Sequence, residues 1–157
     1  MTAGAKDTKQ LIAKNRKAFH EYEIVETYEA GIVLQGTEVK SIREGRVNLK
    51  ESYALVKNGE LWLEHCHISP FPQGNIYNHE PLRPRKLLLH KRQINKLSGE
   101  VARKGMTLVP LSFYFLDGKV KVEIAVARGK KAYDKRETER RKEIERDVQK
   151  EMKRRSR

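Results

Sequence analysis

His65, Cys66 and His67 stand side by side in LEHCHI, the densest group of metal-ligating and nucleophilic side chains in the chain. In an extended strand His65 and His67 would share a face and Cys66 would point away, so three convergent ligands are not offered, and no CxxC or HExxH motif supplies more. A Cys and His nucleophilic pair would also need a third, orienting group. The simpler expectation is that Cys66 is a small buried apolar residue and that metal and catalytic residues are absent. No GxGxxG or GxxxxGK[ST] loop is present to cradle a nucleotide phosphate, so no cofactor is expected.

The remaining chemistry is that of binding. RPRKLLLHKR, residues 83–92, sets five Arg or Lys around three consecutive leucines. In a strand Leu87 and Leu89 can face a core while Leu88 lies on the other side, where an apolar surface could stack under a base; Arg85, Lys86 and their neighbours would neutralise phosphates. Glu29, beside Ala30 and Gly31, is either a solvated carboxylate or an acceptor for nucleobase amino groups. A net charge of +13, from 34 Lys and Arg against 21 Asp and Glu, favours a polyanionic partner. The last 30 residues, with 14 basic and 7 acidic side chains, carry about half of that excess.

Positioning these groups requires a scaffold, and 157 residues suffice for one core. Residues 1–17 read as a loose basic arm. YEIVETYEAGIVLQG supplies one bent strand or two short ones. GTEVKSIREG predicts a two-turn helix, with Thr37 as N-cap and Gly45 as stop, plugging one end of a sheet. Asn58-Gly59 and Asp117-Gly118 each predict a tight hairpin. In the second, Val120, Val122, Ile124 and Val126 share one face; Lys119, Lys121 and Glu123 share the other, which is wet or meets a polyanion. Residues 69–86, with four of the five prolines, predict a surface loop. Ile94, Leu97 and Val101 form the buried stripe of a helix ended by Gly105. About six strands joined mainly by hairpins, with two or three short helices, indicate a mainly β fold, an antiparallel barrel of the oligonucleotide-binding type over residues 18–128.

Residues 129–157 are different. Past Tyr133 the apolar residues are Ile144, Val148 and Met152, four apart on one helical face. That stripe is too thin for a core but suits a groove, so the tail is expected to be disordered alone and to fold on a partner. The lone cysteine and the lack of a long apolar run predict a cytoplasmic protein without a membrane partner, and a monomer is expected.

The blocks NRKAFHEYEI, YEAGIVLQGTEVKSIREG, RPRKLLLHKRQI and VARGKKAYDKRE, in that order, resemble the signature blocks of the SsrA-binding proteins, the small protein B family of bacterial trans-translation. The resemblance implies a barrel that holds the tRNA-like domain of transfer-messenger RNA and delivers it to stalled ribosomes. It further implies a tail that is helical in the empty message channel beside the decoding centre, and no enzymatic reaction. The family's RNA-contacting carboxylate falls on Glu29 and its contacting leucine on Leu88; where the family often has Asn, this chain has His90. Asn15, Arg16, Lys17 and His20 match the N-terminal block. Gly129, Lys130, Lys131, Asp134, Lys135 and Arg136 match the tail block, with Tyr133 at the position expected to stack on a ribosomal base. A structural ribosomal protein built on the same barrel is the rival expectation.

Overall fold

The computed structural model describes residues 9–73, 78–130 and 132–155. Among the described residues nine strands and four helices follow in the order β1 Lys9–Lys14, α1 Arg16–Glu21, β2 Tyr22–Ile32, α2 Gly36–Arg43, β3 Val47–Asn48, β4 Tyr53–Lys57, β5 Glu60–Glu64, β6 His67–Ile68, β7 Arg85–Leu88, α3 Lys91–Lys104, β8 Thr107–Leu116, β9 Lys119–Gly129 and α4 Ala132–Arg155. The main sheet runs β1-β8-β4-β5-β7-β2-β9, and β9 also pairs with β8. That last pairing closes six antiparallel strands into a barrel and leaves β1 as an added strand on the far half of β8. Strands β3 and β6 form a separate two-stranded ribbon.

Local sequence accounts for most of the frame. Asn58 and Gly59, at φ 53° and 76°, and Asp117 and Gly118, at 51° and 79°, make the paired left-handed turns expected of them. Leu61, Leu63, Leu87, Phe113, Val122 and Ile124 alternate into a dry interior. Ile42 of α2 and Leu97 of α3 are fully buried in the same core, so these helices cover its openings. Gly105 ends α3 at φ 61°.

Four expectations change. The arm is not loose from Lys9 onward: β1 pairs with residues 112–116 of β8, and its exposed Leu11 hid the strand pattern. The N-cap of α2 is Gln35, because Glu38 reaches back to the Gln35 N–H at 2.7 Å; the Thr37 hydroxyl instead meets His79 Nδ1 at 2.8 Å. His65 does not continue β5, since its φ of 56° turns the chain between β5 and β6. The outer face of β9 is wet only as far as Glu123. Beyond it Ala125 and Ala127 pack under Ala18 of α1, together with Val109 and Leu111.

Candidate RNA-binding face and tail

Arg85, Lys86, Leu87 and Leu88 alternate along β7, and the alternation separates structure from surface. Arg85 points inward and is fully buried. Its Nε lies 2.5 Å from Glu38 Oε2, its Nη1 donates to the Cys66 carbonyl, and its Nη2 donates to the Pro81 carbonyl at 3.1 Å. Arg83 closes on the other Glu38 oxygen. Burial tends to raise the Glu38 carboxyl, but the Arg83 hydrogen bond, the Gln35 backbone N–H and the Arg85 charge outweigh it and hold the group below the usual carboxylate range. Arg85 therefore cannot be the phosphate contact expected of it; a guanidinium with a buried carboxylate and three carbonyls around it, those of Cys66, Glu80 and Pro81, is committed to the fold.

On the outward side, Leu88 is half exposed and stands opposite Gly31 of β2. A side chain at Gly31 would meet Leu88 Cβ at 3.3 Å, so glycine lets the leucine lie flat against the strand. Glu29, Gly31, Leu88, His90, Gln93 and Lys121 line one open cleft of about 330 Å³. Two strands and the start of α3 thus bring together three residues singled out from the sequence, Glu29, Leu88 and His90. His90 is the N-cap of α3, its backbone N–H donating to Gln93 Oε1 at 3.2 Å. Lys86, half exposed on the same side of β7, has Nζ 3.4 Å from Glu60.

Sequence reasoning missed two residues here, Gln93 and Tyr114, and did not join Lys121, expected on a wet or polyanion-facing side of its hairpin, to this cleft. Lys121 and Gln93 enter it only through cross-strand register and the helix start. Tyr114 of β8, almost wholly buried, donates its hydroxyl to Glu29 Oε2 at 2.6 Å. Burial first, then the Glu29 carboxylate, pushes that phenol well above its usual range, so it remains a donor. The bond fixes one carboxylate oxygen and leaves the other to accept from a ligand. No local signal in SFYFL marks Tyr114; its role depends on a residue 85 positions away.

The N-terminal block divides. Asn15 is buried: its Nδ2 donates to the Pro110 and Leu49 carbonyls at 2.9 and 3.2 Å, and its Oδ1 accepts from the Ala18 N–H. It caps α1 and pins that helix to β8, so the expected RNA contact is corrected to a structural one. Lys17 pairs with Glu51 at 2.9 Å, and Arg16 is exposed. His20 faces the tail, with Nε2 2.6 Å from Glu139 Oε1.

Gly129 ends β9 opposite Tyr22. The Lys130 N–H donates to the Glu21 carbonyl at 2.8 Å, while its Nζ donates to the Phe19 carbonyl and the Thr138 hydroxyl. From there α4 is helical, with Arg136 exposed and Ile144, Val148 and Met152 exposed along one face. Lys131 lies outside the described residues, as do the side chains of Tyr133, Asp134 and Lys135.

Cys66 is fully buried, and burial pushes its thiol up to about 12, so no thiolate is available near neutral pH. His65 is turned aside and stacks on Tyr53, ring centres 5.4 Å apart. Among the described residues no three His, Cys, Asp or Glu side chains are placed to hold a metal, and no helix is long and apolar enough to cross a membrane.

The family model described as SmpB protein matches residues 12–154. The SsrA-binding protein of Enterococcus faecalis is 60% identical over 144 residues, covering 92% of this chain and 94% of that one. That of Geobacillus thermodenitrificans is 61% identical over 140 residues, covering 89% and 90%. Among solved structures, a chain from one described as "tmRNA-SmpB: a journey to the center of the bacterial ribosome" is similar at a TM-score of 0.65 and 54% identity, covering 76% of this chain and 85% of that chain.

Proposed function

The chain belongs to the SmpB family, and from that premise we infer an RNA-binding adaptor that holds transfer-messenger RNA and works in trans-translation at the ribosome. The barrel carries the RNA through its tRNA-like domain, with Glu29, Leu88 and His90 at the contact. The tail serves the ribosome: residues 129–155 leave the barrel beside α1 and enter the decoding region and the empty message channel. The protein performs no reaction of its own and works in the cytoplasm.

The observation that supports this RNA-binding face best is the Glu29–Leu88 cleft. It combines an apolar platform held flat by Gly31, a carboxylate oriented by Tyr114 and a cation at Lys121. A base can stack on the leucine, donate its amino group to Glu29 and leave its phosphate to lysine. Neutralising several phosphates makes binding steeply salt-dependent. The test is affinity for the tRNA-like fragment together with sequencing of the RNA that co-purifies with tagged protein. One dominant tRNA-like species is expected, and Glu29→Ala and Leu88→Ala each weaken binding by about 1 to 3 kcal/mol with the fold intact. Stoichiometric recovery with ribosomal subunits, and no enrichment of one small RNA, would instead identify a structural ribosomal protein.

A further inference from the structure

Cross-strand register places five residues of the sheet in one row, with the buried Tyr114 between exposed ends. Leu11 of β1 stands opposite Tyr114 of β8, Tyr114 opposite Lys121 of β9, Lys121 opposite Gly31 of β2, and Gly31 opposite Leu88 of β7. The Leu88 end is the cleft already described. The other end is built similarly: Leu11 is 58% exposed where Leu88 is 50%, and beside it lies an open hollow of about 420 Å³ lined by Lys9, Lys14, Phe19, Ser112 and Glu123. Phe19 is itself exposed, and Lys14 Nζ sits 5.0 Å from the centre of its ring. Lys9 Nζ lies 4.3 Å from the ring centre of Tyr114, the residue that orients Glu29.

We propose that the RNA-binding face continues across the barrel to a second stacking platform, Leu11 with Phe19, flanked by Lys9 and Lys14. One RNA then spans both ends of the row, a reach of roughly 19 Å from four strand spacings of about 4.8 Å each. The proposal rests on the reading of the Glu29–Leu88 cleft as RNA-binding and extends it along a continuous surface.

The charge pattern selects the occupant. Glu29 and Glu123 face each other directly across β2 and β9, an arrangement unfavourable in a free sheet. Lys9, Lys14 and Lys121 surround this acidic centre. An acidic peptide or an anionic lipid surface would be repelled at the middle, and a basic peptide at the edges. A nucleic-acid strand suits both, because its phosphates are acceptors for lysine while its base edges carry the amino donors that carboxylates need.

The experiment measures affinity and salt dependence for the tRNA-like fragment with full-length protein. Leu11→Ser with Phe19→Ser is expected to weaken binding about tenfold, the scale of one lost base stack. Lys14→Gln, which removes the charge over the Phe19 ring but keeps Leu11 and Phe19 themselves, is expected to make the salt slope shallower by about one unit. A photoreactive side chain at Leu11 should crosslink to that RNA. If the double variant melts earlier than the parent, Lys14→Gln and the crosslink decide. Unchanged affinity and slope with no RNA crosslink, while Glu29→Ala still binds weakly, would overturn the second platform and leave the first. Normal binding by Glu29→Ala and Leu88→Ala would overturn the cleft and, with it, the continuous face.

Discussion

Glu38, Arg83 and Arg85 meet inside the barrel, where a carboxylate that accepts from two guanidiniums and a backbone N–H is closed off from solvent. The charges of α4 stand in water; its described ion pairs join Glu151 to Arg154 and Arg155 within the helix, and Glu139 hydrogen-bonds His20 at its base. Lysine and arginine thus mean different things in the two regions. In the barrel a basic residue can be part of the fold, and removing it leaves a buried charge unpaired. In the tail a basic residue stabilises almost nothing in the free protein, since exposed pairs contribute about 0 to 1 kcal/mol each. Its use must come from a partner.

The largest effect that would sharpen this contrast is on the buried side. Glu38→Ala or Arg85→Ala should cost about 3 to 5 kcal/mol, because each strands a buried opposite charge. Urea unfolding measures it, and a loss similar to that of a surface pair would break the comparison. Second, a chain ending after Lys130 should unfold and bind the tRNA-like RNA much as the whole chain does, yet fail to support peptide tagging on stalled ribosomes. Lys130 is kept because its N–H closes on Glu21. Tagging at the normal rate would reduce α4 to a solubilising appendage. Third, Ile144→Asp, Val148→Asp and Met152→Asp together should damage tagging more than Glu139→Gln with Glu143→Gln, because only the first set removes the apolar stripe. The smallest effect is on pH. Glu38 is held below its ordinary value of 4.5, so its contribution is complete above that pH and fades as pH falls through the lowered folded value. Glu38→Gln should flatten this acid limb of the stability curve, at the expense of stability at pH 7.

Much of this was legible beforehand. The two hairpins, α3 and the outward Leu88 follow from local turn chemistry and side-chain period. Strand order does not, because it depends on residues that meet only after folding. Arg85 and Lys86 look alike in RPRKLLLHKR, and the partner that separates them, Glu38, lies 47 positions earlier. Asn15 falls in a block whose resemblance implies RNA contact, yet its acceptors are carbonyls 34 and 95 positions away. β1 is not legible because KQLIAK sets its apolar residues Leu11, Ile12 and Ala13 in an unbroken row, with a register shift between Leu11 and Ala13, and so shows no period of two.

The pairing of β9 with both β2 and β8 has a consequence for how the molecule is made. The strand that closes the ring is the last strand synthesised, and its partner β2 is among the first. A nascent chain stopped before Lys119 exposes two open sheet edges and has neither Lys121 nor Glu123, so it can complete neither its core nor the face proposed to bind RNA. Closure over that sequence separation makes folding slow and late. On the proposed reading, a protein of this build is expected to acquire its partner only after its own translation has nearly finished, and a copy cut short by a broken message to hold no RNA out of circulation.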